Sequence, residues 1–564
     1  MNFIASDDLK RTRLVWLAVG LALVIRLCGI RYGLPFVYWT DEYHEVMRAL
    51  ELGAGGFNLS RTGKGGFYLI LFLEYGFYYV GLKLTGLVSN AQEFAEQFVR
   101  DPTAFYLMGR ATAAVFGCAT VAAVFYLARQ AYSATAGLLA ALFLAFNVLH
   151  VDLSHRVGVD IPMTFFATLA LYFGGRIASD GQRRDYVLAG LCAALATTTK
   201  LPGILVLLPL LIAHTYHVAR SPDGPVRWLV SSGLWQSAAV FVVVLASTNP
   251  GLLLHFDALS LFTTPPNGLV EEDSLGTVVA VGSVGRPNLY LFYLNVLKSS
   301  MGWPLFVLSL VSVGHAIWKH RPSDVMLLSF ALINYLAISS TSSEFLYYPR
   351  YALPIIVALS ILSGMAVADL LPLISRLRKL SIVVLVSALI AWPVAFAIEE
   401  TYLLTQTDTR TEAKAWFDAH VPAGSKVLIE GGKIAASRQT VPLEDSHESL
   451  ERRIASWKTK EPRQAKFLEI KRVVQDDSGY DLELVQISSI APLEDYVARG
   501  VEYFVIRPDS FLSSRKGEAG SARFLNDLRS NAGVKLLKRI DAGSDAQPGP
   551  SIEVYQMQSM VPTG

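Results

Sequence analysis

Charge is what this sequence has least of. Only 17% of its 564 residues are Asp, Glu, Lys or Arg, while 52% are apolar. Soluble globular chains carry roughly 25% charged residues, so an ordinary soluble protein over the whole length is excluded. The deficit is uneven. Residues 1–400 hold repeated apolar runs, and residues 405–564 have the mixed composition of water-soluble protein. Cysteine is scarce as well. Cys28, Cys118 and Cys192 all lie in apolar runs, which leaves no disulfide framework and no zinc knuckle. Net charge is +2, too small for a general nucleic-acid binder. No internal repeat and no long low-complexity tract occurs. The first apolar run follows Lys10, Arg11 and Arg13 without a small-residue cleavage site behind it. It reads as a retained span rather than a cleaved signal.

What the sequence has is apolar length. A membrane span needs about 20 mainly apolar residues. Candidates are 14–31, 108–128, 134–151, 162–176, 186–199, 201–216, 229–248, 301–318, 324–340, 352–372 and 380–398. A further run, 66–88, contains Glu74 and Lys83. Basic residues mark cytoplasmic loops. If 66–88 does not cross, the clusters at Lys10/Arg11/Arg13, Arg129, Arg176/Arg183/Arg184, Arg220/Arg227, Lys319/Arg321 and Arg376/Arg378/Lys379 all fall on the cytoplasmic side. We therefore expect 66–88, rich in Phe and Tyr, to lie at the outer interface. The expected fold class is a mostly α membrane protein of about eleven transmembrane helices with a small C-terminal α/β domain. Residues 1–404 form the membrane part, 32–106 are one long outer loop, and 405–564 are the extracytoplasmic domain. The protein is expected in the cell (inner) membrane, with its N-terminus cytoplasmic.

In the tail, 408–423 reads as a helix capped by Asp408 or Thr409 and ended by Gly424. Segments 426–430, 502–506, 534–540 and 551–557 read as strands, with helical patterns near 463–474 and 519–531. Gly431-Gly432 after a strand is too little for a phosphate loop, and no catalytic constellation is visible in the tail.

The unusual polar residues sit in the expected outer segments. "YWTDEYHEV" (38–46) places Asp41, Glu42, His44 and Glu45 together. With Thr40 as cap, Asp41 and Glu45 share a helix face at i, i+4. A carboxylate here suits a general base that accepts a proton from an attacking hydroxyl. An acidic helix start also suits the helix dipole without any catalytic role. "HVDLSHRVGVDIP" (150–162) packs His155 and Asp160 into a short connection; a solvated loop before a Pro162 helix start explains the proline but not so many titratable groups. Asp160 is the second candidate acid. Lys64, Arg110 and Arg350 are outer cations, with Lys200 and Arg286 as further ones. Each alone could snorkel to lipid head groups. Together, and beside acids, they suit a phosphate ester. A base for a hydroxyl and cations for a phosphate leaving group are the minimal kit for transfer from a lipid phosphate.

Several stretches, in order, resemble the C-type glycosyltransferase superfamily. They are "TDEYHE" (40–45), "KGGFYLILFLEYGF" (64–77), "GRATAAVFGCATVAAVFYLAR" (109–129), "AGLLAALFLAFNVLHVDLSHRVGVDIPMTFF" (136–166), "GLCAALATTTKLPGILVLLPLL" (190–211), "YYPRYALP" (347–354) and, as a fainter echo, "TNPGLLL" (248–254). They are most similar to the branch that includes dolichyl-phosphate-mannose protein mannosyltransferases and the bacterial aminoarabinose lipid A transferase. Gly65-Gly66 departs from that branch, which usually has two prolines there, so a more flexible loop around Lys64 is expected. The resemblance implies a C-type glycosyltransferase fold and an inverting transfer from an undecaprenyl- or dolichyl-phosphate-linked monosaccharide to a protein, lipid or glycan acceptor. It implies Asp41 as the base or its neighbour, Asp160 as a second acid, and Lys64, Arg110 and Arg350 on the phosphate. A divalent metal, held by Asp41 and Asp160 if at all, stays open. Two other readings compete. A transporter or flippase for a polyprenyl-linked sugar predicts internal repeats and midplane charges. An assembly protein that presents its soluble domain leaves the acids and cations unexplained.

Overall fold

The computed structural model describes residues 2–54, 64–220, 228–229, 231–250, 288–340, 348–371, 379–431, 439–459, 462–512, 518–542 and 547–558. The chain opens with α1 (Asn2–Leu27), α2 (Thr40–Gly53), α3 (Gly65–Leu84), α4 (Ala91–Arg100) and α5 (Thr103–Ala131). Next come α6 (Ala134–Ala145), α7 (Val148–Leu153), α8 (Asp160–Ser179), α9 (Arg183–Thr199) and α10 (Leu207–Ala219), the last preceded by a 3-10 turn over Leu201–Val206. The apolar part continues with α11 (Ser232–Thr248), α12 (Leu289–Met301), α13 (Trp303–Lys319), α14 (Pro322–Ser339), α15 (Leu353–Leu370) and α16 (Lys379–Leu403).

Every one of the eleven expected runs overlaps a helix. Among the described residues, however, seven helices are long and apolar enough to cross a membrane by length and composition, and one of them is α3, the run expected to lie at the outer interface; the other six fall on expected runs. The number is eight if α12 and α13, bent by 119°, count as one span. The shortfall from eleven has physical causes. α6 has 12 residues and α9 and α11 have 17, and at 1.5 Å rise per residue these fall short of a hydrocarbon core about 30 Å thick. α1 carries Arg26 inside its apolar stretch. The α12–α13 bend is made at Gly302, whose φ of 74° a side-chain-bearing residue rarely adopts.

α15 is the helix most enclosed by its neighbours, packing on α6, α13 and α14. Small residues allow the close approach. A Cβ on Gly364 would meet the backbone of Ala136 and Ala140, and one on Gly137 would meet the Phe125 carbonyl. A second, smaller apolar cluster covers one end of this bundle. Val46 and Ala49 of α2, Phe67, Leu71 and Tyr75 of α3, and Phe105 of α5 form it. α3 touches α5 only near the start of the latter. Tyr75 and Tyr78 meet Phe105, and Glu74 accepts a hydrogen bond from Thr112. α4 folds back so that Phe94 packs on Tyr78 and Tyr79.

The tail follows with α17 (Thr409–His420), β1 (Lys426–Glu430), α18 (His447–Trp457), α19 (Pro462–Val474), β2 (Asp481–Val485), α20 (Leu493–Ala498), β3 (Tyr503–Ile506), α21 (Pro508–Leu512), α22 (Glu518–Ser530), β4 (Val534–Ile540) and β5 (Ile552–Met557). The strands form one mixed sheet in the order β2-β1-β3-β5-β4. β1 is parallel to β2 and β3, while β5 is antiparallel to β3 and β4. Separate apolar clusters cover its two faces. Asp408 caps α17 by accepting from the Arg410 N–H, and the helix stops at His420. Gly424 instead takes a positive φ in the turn into β1. The tail rests on the bundle's covered end, with α19 against α4 and Phe467 against the α2–α5 cluster.

Candidate active site

The covered end is also where the candidate acids and cations gather. α2 begins at Thr40 itself; the preceding Trp39 occupies the cap position without a side-chain cap, so Thr40 does not cap the helix. Its first turns carry three carboxylates with three different partners. Glu42 is sealed. It takes Arg110 Nε at 2.8 Å and Nη2 at 2.7 Å, and accepts a third bond from the Val157 N–H at 2.8 Å. Arg110 Nη1 donates to the carbonyls of Ile30 and Tyr32. The guanidinium also lies 4.7 Å from the Trp39 ring centroid, with Arg156 at 4.8 Å from the same ring. Glu42 and Arg110 are thus spent on each other and on the backbone of 30–32.

Glu45 is buried and pairs with Lys64 at 2.5 Å. Burial works against the Lys64 ammonium, but Glu45, helped by Tyr68 and Asp41, more than offsets it. The amine is held above the usual lysine range. Gly65 and Gly66, expected to loosen this region, do the reverse. Both are buried in the first turn of α3, and the Gly65 N–H donates to Asn249 Oδ1 at 3.0 Å. A proline there would have no N–H to give. Asn249 passes the link on to the Thr198 carbonyl at 3.2 Å.

Asp41 remains the most accessible acid, with its side chain 56% exposed. It accepts a hydrogen bond from Arg350 Nη1. Loss of solvation pushes its pKa up. The Arg350 charge, then Lys64 and His44, more than offset that and hold the carboxyl below its ordinary value. Arg350 sits in the 3-10 turn Pro349–Ala352, within electrostatic reach of Asp160 as well. Asp160, at the start of α8, pairs with Lys200 at 2.5 Å, and both are largely buried. The Tyr351 ring joins the two cations, with Lys200 Nζ 4.4 Å and the Arg350 guanidinium 5.8 Å from its centroid. Asp41, Arg350, Tyr351, Lys200 and Asp160 therefore form one connected array, and Lys64 adjoins it through Asp41.

Among the described residues, His155 stands apart. His155 is turned to the end of α1, its ring nitrogens on the carbonyls of Val151, Ile25 and Cys28. Arg286 lies outside the described residues. His44 stays beside Asp41, its ring against Tyr43. Tyr351 and Asn249 were not singled out by sequence reasoning. Both lie within quoted stretches, but neither has a charge to draw attention. Among the described residues, no group of three or more His, Cys, Asp or Glu side chains could hold a metal. Asp41 and Asp160, the two acids that would share a metal, each face a cation.

Residues 107–250 match the family model described as dolichyl-phosphate-mannose-protein mannosyltransferase. The matched stretch contains Arg110, Asp160, Lys200 and Asn249, while Asp41, Lys64 and Arg350 lie outside it. The resemblance read from the sequence is borne out over these residues. No curated protein matches the chain. Solved structures similar to it include ArnT from Cupriavidus metallidurans in the apo state, 15% identical, covering 96% of this chain and 98% of that one with a TM-score of 0.48. Oligosaccharyltransferase AglB from Archaeoglobus fulgidus, in complex with an inhibitory peptide and a dolichol-phosphate, is 10% identical. It covers 90% of this chain and 72% of that one, with a TM-score of 0.42. Arabinofuranosyltransferase AftD from Mycobacteria is 14% identical, covering 97% and 42% with a TM-score of 0.43.

Proposed function

We propose that this multi-pass membrane protein transfers a monosaccharide from a polyprenyl-phosphate carrier to an acceptor hydroxyl at the outer membrane face. The observation that carries this reading is the array in which Arg350 and Lys200 flank Tyr351 while each faces one acid, Asp41 or Asp160. The positive-inside pattern of the loops supports the outer placement.

In this reading the acceptor oxygen attacks the anomeric carbon and its proton passes to the Asp41 carboxylate. The bond from that carbon to the phosphate oxygen breaks, and the electron pair leaves with the polyprenyl phosphate. One displacement inverts the anomeric centre. Arg350, Lys200 and Lys64 hold the charge that develops on the phosphate. Asp41 serves as base because it is the accessible acid; Asp160, more enclosed, fixes Lys200. A phosphate that draws Arg350 off Asp41 also restores basicity to Asp41, since the arginine charge is what depresses it. Glu42 and Arg110 act as the brace under α2.

The test uses the full chain in nanodiscs with a panel of undecaprenyl-phosphate-linked mannose, glucose, galactose and arabinose. Release of undecaprenyl phosphate with labelling of a membrane-extract acceptor is expected, and Asp41→Asn should abolish it. Movement of the same donors across vesicle bilayers, unaffected by Asp41→Asn and without release, would overturn the enzyme reading in favour of a transporter.

A further inference from the structure

The tail is anchored at its very start by two buried charges. Asp408 is 2% and Arg410 7% exposed. Asp408 Oδ1 accepts from the Arg410 backbone N–H at 2.8 Å and from Nε at 2.7 Å. Oδ2 accepts from Arg410 Nη2 at 2.7 Å. That would suffice as a helix cap and an ion pair. Yet Oδ2 also takes the hydroxyl of Tyr32 at 2.5 Å, and the Arg410 guanidinium lies 3.8 Å from the centroid of the Tyr38 ring. The Tyr38 hydroxyl in turn meets Thr411 Oγ1 at 2.7 Å. Both tyrosines belong to the segment that leads into α2, three and nine residues before Asp41.

That segment is gripped from its other side too. Arg110 holds the Ile30 and Tyr32 carbonyls and, through Glu42, the first turn of α2. Its backbone is not one that would keep this shape unaided. Gly33 has a φ of 66° and a Cβ there would lie 2.6 Å from the Tyr38 ring, while Val37, a β-branched residue, has a φ of 57°. Such a conformation persists only where its surroundings over-determine it. Arg110 supplies one set of bonds and the tail supplies the other.

We propose that Asp408 and Arg410 are positioning residues for the transfer reaction: by clamping Tyr32 and Tyr38 they fix the approach to α2 and aim Asp41 at Arg350. This rests on the reading of Asp41 as base. It gives the soluble tail a part in the chemistry without a residue of its own in the site.

The test compares full-length Asp408→Asn, Arg410→Lys and Tyr32→Phe with wild type in nanodiscs, using whichever undecaprenyl-phosphate-linked monosaccharide the wild type consumes. Expected is a fall in kcat on the order of 10- to 100-fold, the effect of small misplacement of a reacting group. KM for the donor and binding of undecaprenyl phosphate should stay close to wild type in all three, and so should the melting temperature of Tyr32→Phe; Asp408→Asn strands the buried Arg410 and should melt lower. The acid limb of the kcat profile should move to higher pH as Asp41 drifts from Arg350, leaving Lys64 and His44 as its neighbours. Amide exchange should accelerate in the peptide 30–45 and not in α8 or α15. An unchanged kcat in folded variants overturns the proposal, as does a loss of kcat only in step with lost melting temperature. Should Asp408→Asn fail to fold, Tyr32→Phe, which removes a single hydroxyl, decides. If wild type transfers no sugar from any donor in the panel, the transfer reading fails by itself. The exchange rate of 30–45 then still judges the clamp.

Discussion

Asp41 and Glu42 stand side by side at the start of α2, and each is paired with an arginine from a distant part of the chain. The Glu42–Arg110 pair has side chains 1% and 0% exposed, bidentate geometry and additional partners for its remaining polar atoms. The Asp41–Arg350 pair has side chains 56% and 25% exposed. Burial separates their roles. A sealed pair cannot admit a substrate, and breaking it leaves an uncompensated buried charge. An open pair can exchange its partner for a phosphate or a hydroxyl. A sequence reader who sees two adjacent carboxylates has no means of telling the brace from the base.

The largest effects should come from neutralising each acid in turn. Asp41→Asn is expected to cost roughly 10³-fold in kcat, within the span of general-base contributions, while expression and melting behaviour hold. Glu42→Gln should do the reverse. It strands Arg110 and is expected to cost about 3–5 kcal/mol of stability, read as lost expression or a large drop in melting temperature. If Glu42→Gln folds normally and Asp41→Asn does not, the comparison is broken.

The cations should rank next. In the proposed reaction Arg350→Ala and Lys200→Ala each remove a charge-assisted contact to the phosphate, worth about 1.5–3 kcal/mol, so kcat/KM should fall roughly 10- to 100-fold; Arg350→Ala should keep its fold, while Lys200→Ala strands the enclosed Asp160 and should also melt lower. Isothermal titration with undecaprenyl phosphate checks whether the loss is one of phosphate binding. Equal affinity for wild type and Lys200→Ala would remove that residue from the phosphate site.

The pH dependence sharpens the same contrast. The Asp41 carboxyl is held below its ordinary value, so the base is ionised throughout the neutral range. Activity should decline only as pH falls below the usual carboxylate range. Its pairing likewise contributes stability at neutral pH that fades as pH drops through the folded-state value, discounted by its exposure. In Arg350→Gln the loss of solvation is no longer offset by the arginine, and the acid limb of kcat should move upward. A limb that does not move would mean that another group is the base.

Much of this was legible before the fold was known, for definite reasons. Apolar length put a helix on each of the eleven runs, because a chain in lipid must be apolar over a span's length, but eleven spans are not what the structure has, and α3, expected at the interface, is itself long and apolar enough to cross. Length could not give their geometry. The break at Gly302 and the shortness of α6, α9 and α11 depend on packing against neighbours. Four of the five tail strands fall on expected runs; β2, "DLELV", was missed because Asp481 and Glu483 interrupt it. Those acids are tolerated at an edge strand where Lys426, Arg452 and Arg499 meet them. In the proposed site, charge type and the expected outer location singled out Asp41, Asp160, Lys64, Lys200 and Arg350. The same criteria also selected Arg110 and His155, whose partners are the brace and the α1 carbonyls. Tyr351 and Asn249 went unselected because aromatic and amide side chains in an apolar chain carry no distinctive signal.

The smallest effect, and the finest probe of the open pair, lies at Gly66. A Cβ there would come within 2.4 Å of Thr198 Oγ1 and 3.1 Å of Thr198 Cβ, so something must shift. Thr198 is β-branched and sits in the last turn of α9, where it yields little. Gly66→Ala should therefore push the start of α3 outward and take Lys64 partly away from Glu45 and Asp41. Overpacking of this kind costs about 1 kcal/mol or more, so a small fall in melting temperature is expected beside a rise of roughly three- to tenfold in donor KM, with the Glu42–Arg110 brace intact. The double variant Gly66→Ala/Thr198→Ala removes the colliding hydroxyl and should recover most of the loss. Failure of that rescue would mean that Lys64 is not placed through the α3–α9 contact, and that the Gly65 N–H bond to Asn249 alone sets its position.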